Sequence, residues 1–421
     1  MRDKTRSLSL LLLCLGAAWV LYSAGPSLVS IVLMKLQGSH GDDTTLFCGA
    51  QMLRAGLGDL YTPGNFERFI AGTPLGNEIT GHVNLVPITY PPFFYMILGP
   101  LVWLLSITPF IQVWFLGNCV CLAATAFFLR GCLPSPVPKG TALGILAVVF
   151  VFCPTVENLF QGQPNILVVC LLSGTLYADV RNRPNWAATL LALATWVKVF
   201  PVLLVGYFVS RKDWRALRAF VVAMLAVGLI TLVFAGTVSM VSYLTVGIPR
   251  VGGVLAKFGF PYNRTLDGLL NTYHRRSWLW LLKLVKAALV LATFAVSWRR
   301  RGAWGQCLSF CLWLTTALLI MPSAWQYYDI YYLPPVVLGA GAVLWGPARR
   351  LELRLAFGLS WVFLASADTR ILVPYEGREM LNTLRIAVIE SPWAMASKPL
   401  LFALMAAVCL RVASDASEES G

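Results

Sequence analysis

The feature that most constrains this chain is the recurrence of apolar runs long enough to cross a lipid bilayer. A helix through roughly 30 Å of hydrocarbon needs about 20 predominantly apolar residues. Runs of this kind lie at Leu8–Leu33, Pro109–Leu129, Trp186–Phe208, Ala216–Ala235, Trp278–Trp298, Gln306–Met321, Ile330–Leu344, Leu355–Ala367 and Pro399–Leu410, with shorter ones at Pro92–Leu105, Thr141–Cys153 and Ile166–Tyr177. Together they predict an all-α polytopic membrane protein with eleven or twelve transmembrane helices. Composition excludes a soluble globule: 12% of the 421 residues are charged, about half the roughly 25% of soluble domains. The spans are read as one integral-membrane domain over residues 1–412, and the polar end, residues 413–421, as a disordered cytoplasmic tail.

The amino terminus opens basic, "MRDKTR", and its apolar stretch has no small-residue cleavage site at its end, so a retained anchor is expected in place of a cleaved signal peptide. Most of the ten cysteines fall inside spans and read as small apolar packing. His40, His82 and His274 are scattered on polar stretches with no metal-ligand spacing; no metal site is assigned, and a divalent-metal requirement stays open. Lys and Arg are costly to translocate, so "MRDKTR", "RKDWRALR", "WRRRG" and "ARRLELR" are placed in the cytoplasm, with the N-terminus, in a plasma (inner) membrane. Three polar stretches, Lys35–Pro91, Thr237–Ser277 and Thr369–Ser397, then face the other side. Between residues 92 and 210 the parity is open. Either Trp186–Phe208 is a hairpin broken at Lys198 and Pro201, or one short piece is re-entrant.

The two nearer outer stretches differ in charge. Residues 35–91 carry three cations against five acids, whereas residues 237–277 carry five cations against one acid. A basic outer loop opposes the usual bias. It is explained either by anionic headgroups or by a substrate phosphate, whose oxygens match Arg forks. Polar groups at membrane depth are the second anomaly: Glu157, Asn158, Gln161, Gln163 and Asn165 lie between apolar runs, and Lys198 stands beside Pro201. A Lys near the bilayer centre costs about 2.5 to 3.5 kcal/mol and usually lines a functional cavity. Snorkelling at a helix break, and repair of backbone groups freed by Pro164, are the competing explanations.

The first outer stretch begins with adjacent acids, Asp42 and Asp43. An acid facing out, a basic stretch on the same side and a polar pocket suit transfer from a lipid-linked phosphosugar. The carboxylate would take a proton from an acceptor hydroxyl, and cations would stabilise the departing phosphate. The alternative is capping of the helix opened by "DDTTLFCGAQMLRAG". Adjacent side chains of an extended segment point to opposite sides, so one of the two is taken as the base and the other is not. No nucleotide-binding glycine loop or DxD triplet occurs, which argues against a nucleotide-sugar donor, and no nucleic-acid partner is expected. A transporter or lipid flippase would also need polar groups at mid-membrane. Its usual paired broken helices appear only in the N-terminal half, around Pro164 and Pro201.

The ordered segments "GDDTTLFCGAQMLRAGLGDLYTP", "ITYPPFFYMILGPL", "QGQPNILVVCLLSGTLYA", "ATLLALATWVKVFPVLLVGYFVSRKDWRAL", "FPYNRTLDGLLNTYHRR" and "MPSAWQYYDIYYLPPVVL" resemble glycosyltransferase family 87, in the GT-C superfamily. The resemblance implies a GT-C fold, a catalytic Asp in the first extracytoplasmic loop, a polyprenyl-phosphate sugar donor, a lipid- or glycan-linked acceptor and no certain cofactor. Mannose transferred in α-1,2 linkage with inversion is the family's best-known activity, and a glycan ligase or polymerase is the near alternative. Asp43 aligns best with the family's acid, which implies Asp43 as the base with Asp42 as its backup. The recurrent polar and aromatic positions are matched by Tyr90, Gln163, Asn165, Lys198, Asn263, Arg264, Trp325, Tyr327 and Tyr328. Thr44 stands where an aromatic usually follows the acid, and "AWQYYD" lacks the family's frequent late His.

Overall fold

A computed structural model describes residues 28–39, 41–73, 89–133, 137–138, 140–253, 263–272, 278–298, 302–345, 352–358 and 401–410. Every regular element among them is helical. A helix over 28–36 (α1) leads to α2 (Asp42–Arg54) and α3 (Asn65–Ala71). There follow α4 (Pro92–Leu104), α5 (Ile107–Cys132), α6 (Thr141–Val151), α7 (Cys153–Gln161), α8 (Asn165–Val180) and α9 (Pro184–Val197). A 3-10 turn, Phe200–Leu204, runs into α10 (Val205–Ser210), then α11 (Trp214–Ser242), a π turn and α12 (Ile248–Gly253). The last labelled elements are α13 (Leu266–Thr272), α14 (Leu279–Ser297), α15 (Gly302–Ile320), a 3-10 turn Gln326–Tyr332 and α16 (Leu333–Leu344).

Local chemistry sets several of these starts. Proline stands in the first turn of α4, α7, α9 and α16, where its missing N–H costs nothing. Asp213 caps α11, its carboxylate accepting from the Ala216 N–H at 2.9 Å. In the bundle, α8 lies against α5 and α9, and α9 lies against α11. The α14, α15 and α16 helices pack in succession, while α2 rests on α4 and α5. α15 is buried among its neighbours, whereas α11 and α14 turn apolar side chains such as Leu225, Phe234, Leu284 and Leu291 outward. Such a surface is stable against lipid and not against water.

Four helices among the described residues are long and apolar enough to span alone: Ile107–Cys132, Trp214–Arg250, Leu279–Ser297 and Gly302–Ile320. α6 and α7 meet the same criterion only as a pair bent by 53°, the geometry of one broken span or of a re-entrant loop. Several expected spans are shorter helices because polar or proline residues interrupt them. The N-terminal anchor up to residue 27, the stretch 369–397, the three histidines and the tail lie outside the described residues.

The run Trp186–Phe208 is the broken hairpin. α9 ends at Val197, Lys198 is extended, and the chain returns through Phe200–Ser210. Its ends are pinned together: Arg211 pairs with Asp179 at the end of α8, and the Lys212 ammonium lies 4.6 Å from the Trp298 ring centroid at the end of α14. Both basic turns therefore share one face of the bundle, opposite Lys198.

The expected loop from Thr237 needs correction. Helix continues past Gly236, whose φ of 81° kinks it, and on to Gly253. Hydropathy fades there because the helix meets protein: Ser242 Oγ donates to Asp59 Oδ1 at 2.7 Å, and Tyr243 packs on Tyr61 with centroids 5.2 Å apart.

Candidate active site

The two acids open α2, in the first turn, where the free N–H groups and helix dipole favour negative charge. Gly41 is the N-cap, and neither acid takes that position. Asp43 turns inward: Lys35 Nζ donates to its Oδ2 at 2.6 Å, the Gly41 N–H donates to its Oδ1 at 2.8 Å, and it is 1% exposed. The loop between α7 and α8 presses on this pair. Gly162 has φ of 69°, and a Cβ there would stand 2.3 Å from Asp43 Oδ2, so only glycine fits.

Asp42 points elsewhere and is partly exposed. Its Oδ2 accepts from Gln163 Nε2, and among the described residues no protein donor reaches Oδ1. Gln163 is itself held, since Tyr90 Oη donates to its Oε1 at 2.5 Å. Tyr61 Oη in turn donates to the Tyr90 carbonyl at 2.5 Å. Burial pushes the Asp42 carboxyl up to about 6; the Gln163 hydrogen bond opposes that rise, the Asp43 charge adds to it, and Lys35 and Lys198 oppose it.

Lys198 reaches the same space from the apex of the broken hairpin. Its Nζ donates to Asn165 Oδ1 at 2.6 Å and sits 3.7 Å from the Tyr328 ring centroid and 5.7 Å from that of Tyr90. The polar residues between the apolar runs form its support. Tyr331 Oη donates to Asn165 Oδ1 at 2.7 Å, Asn165 Nδ2 donates to Asn158 Oδ1 at 2.9 Å, and Asn158 Nδ2 donates to the Tyr327 carbonyl at 2.7 Å. These bonds fasten α7, α8 and the turn 326–332 around the ammonium. Trp325 and Tyr327 are partly exposed, their ring planes within 6° of parallel. Tyr327 lies close enough to Asp42 to feel its charge.

The structure thus brings together Asp42, Tyr90, Gln163, Asn165, Lys198, Tyr327 and Tyr328. Arg264 is used differently. It is 7% exposed and pairs with Asp329 at 2.7 Å, while Asn263 donates to the Pro322 carbonyl at 3.1 Å and accepts from the Ala324 N–H at 3.2 Å. The two residues hold the loop that carries Trp325. Arg275, Arg276 and Lys257 lie outside the described residues. The sequence does not single out Lys35, Asp329 or Tyr331. Lys35 and Asp329 each had one available signal, a charge beside or within apolar sequence that needs an opposite partner. Among the described residues no group of three or more His, Cys, Asp or Glu is placed to hold a metal ion.

An apolar bundle that gathers an open carboxylate, an ammonium and parallel aromatic rings at one end has the parts of a membrane-embedded group-transfer enzyme. The chain belongs to glycosyltransferase family 87, whose model matches residues 88–322; it is an all-α polytopic membrane glycosyltransferase of the GT-C superfamily. It is 25% identical over 319 residues, 71% of its length and 72% of the other, to a polyprenol-phosphate-mannose-dependent alpha-(1-2)-phosphatidylinositol mannoside mannosyltransferase of Mycobacterium tuberculosis H37Rv. A polyprenol-phosphate-mannose-dependent alpha-(1-2)-phosphatidylinositol pentamannoside mannosyltransferase of Mycobacterium tuberculosis CDC 1551 is 23% identical, across 75% of this chain and 70% of that one. No solved structure gives a significant match. The family match begins after the acid pair and ends before Trp325, so the assignment of those residues rests on geometry.

Proposed function

We propose that this protein transfers a hexose, mannose, from a polyprenyl-phosphate donor to a hydroxyl of a lipid- or glycan-linked acceptor on the extracytoplasmic face of the inner membrane, with Asp42 as the general base. The observation that carries the reading is that Asp42, with Oδ1 open among the described residues, and Lys198 are both partly exposed and lie close enough for each to feel the other's charge. The acceptor oxygen attacks the anomeric carbon while its proton passes to Asp42 Oδ1. The bond from that carbon to the phosphate oxygen breaks, its electron pair stays on the polyprenyl phosphate, and the configuration inverts. Lys198, with N–H groups to spare, faces the charge that develops on the phosphate. Trp325 and Tyr327 offer a flat apolar wall to a sugar ring, and the outward apolar faces of α11 and α14 suit a polyprenyl chain. The mannose assignment follows the relatives' names.

Asp43 takes the supporting part in this reading, because Lys35 and the Gly41 N–H already occupy its oxygens. The test is incubation of the purified protein with a panel of radiolabelled polyprenyl-phosphate monosaccharides, scoring release of polyprenyl phosphate. Turnover is expected with the mannosyl donor. Absence of release with every donor, together with lipid translocation in liposomes, would replace the transferase reading with a transporter.

A further inference from the structure

The amide of Gln163 sits between two groups of opposite demand. An ionised carboxylate can only accept hydrogen bonds, while a phenol can donate one. With Nε2 on Asp42 and Oε1 on Tyr90, both needs are met and the amide has one orientation. Gln163 is 2% exposed and its backbone N–H donates to the Asn158 carbonyl at 3.1 Å, so it is set by the fold and leaves little room for a substrate contact. Tyr90 is fixed from the other side by Tyr61, whose own ring is fully buried.

We infer that Gln163, oriented by Tyr90, is a positioning residue that holds Asp42 in its ionised form and leaves Oδ1 as the atom that receives the proton. The inference rests on Asp42 being the base. A proton on Oδ2 would confront the Nε2 hydrogens, so protonation is directed to the open oxygen. The groups that face Asp42 are Asp43 on its own helix, Lys35 from α1, Tyr90 ahead of α4, Gln163 from the α7–α8 loop, Lys198 from the hairpin and Tyr327 from the turn 326–332. Of these, Gln163 alone donates to the Asp42 carboxylate among the described residues.

The test is the pH dependence of kcat in the full-length protein, for wild type, Gln163→Met and Tyr90→Phe, beside the inactive Asp42→Asn as a reference. Wild-type kcat should rise with pH through the Asp42 titration, since the base works only when deprotonated. Gln163→Met removes the donor and should move that rise upward by about one unit, the order expected for one lost bond to a carboxylate. At pH 5 turnover then drops about tenfold and at pH 6.5 about threefold, while at pH 8.5 it stays near wild type. Tyr90→Phe, which frees the amide to turn, should move it the same way by less. Infrared titration of the Asp42 carboxyl stretch, isolated by subtracting the Asp42→Asn spectrum, reads the same shift without turnover and serves if Gln163→Met is poorly active. An unmoved rise and stretch in both variants overturns the inference; a change in KM alone would make Gln163 a substrate ligand instead. If Asp42→Asn turns over, the base assignment itself falls. If it does not and only the shift is missing, Asp42 stands and the positioning role alone is lost.

Discussion

Two carboxylate clusters occupy opposite ends of the bundle and are made of the same kinds of side chain. At one end Arg211 Nη1 donates to Asp179 Oδ2 and, at 2.6 Å, to Tyr207 Oη, whose hydroxyl donates to the same Asp179 oxygen. The three groups bond one another, and the cluster closes the foot of the hairpin. At the other end Asp43 is paired in the same manner with Lys35, but Asp42 and Lys198 each keep unused positions and are partly exposed. Burial and a direct ion pair are what separate the two ends: Asp179 is 3% exposed and paired with Arg211, whereas Asp42 is partly exposed and has no ion-pair partner among the described residues. A buried ion pair fixes helices, and a partly exposed acid and cation remain available to a reacting molecule.

The widest breach of this contrast would come at Asp42. Asp42→Asn preserves size and the Gln163 contact but cannot take a proton, so turnover should fall about 10² to 10⁴-fold, roughly 3 to 5 kcal/mol of barrier, with fold and donor binding retained. Turnover near the wild-type value would break the comparison at its functional end. Next comes Asp43→Asn, which strands the Lys35 charge in the interior and should cost about 3 to 5 kcal/mol of stability, read by thermal denaturation. Lys35→Met combined with Asp43→Leu should recover much of it, because an apolar pair often replaces a buried ion pair at little cost. Stability unchanged in Asp43→Asn, with activity abolished, would pass the base role to Asp43.

Asp179→Asn probes the closed end and should cost up to about 3 kcal/mol, less than a fully buried pair because Arg211 is 17% exposed. The turnover of the folded fraction should match wild type; a loss of kcat would show that the far cluster does more than pin the hairpin. The smallest effect is expected for Lys198→Met. Donor Kd should weaken by about 1.5 to 3 kcal/mol, the scale of one charge-assisted hydrogen bond. Equal donor affinity in a folded variant would leave Lys198 as a snorkelling side chain and sharpen the assignment to Asp42 alone.

Much of the architecture was legible in the chain. Hydropathy sums over about 20 neighbouring residues, so the helical membrane class, the break at Lys198 and Pro201 and the polar patch from Glu157 to Asn165 are all local properties of the sequence. The sequence also narrowed the proposed base to two adjacent acids. Which of them is closed and which stays open was decided by partners elsewhere: Lys35 is eight positions from Asp43, whereas Gln163 is 121 positions from Asp42. Arg264 makes the same point. Its charge looked available to a phosphate until the fold set Asp329, 65 positions on, against it. An ionisable group's part depends on whether its hydrogen-bonding positions are filled and how deeply it is buried. Both are sums over neighbours in space, and the one-dimensional pattern does not contain them.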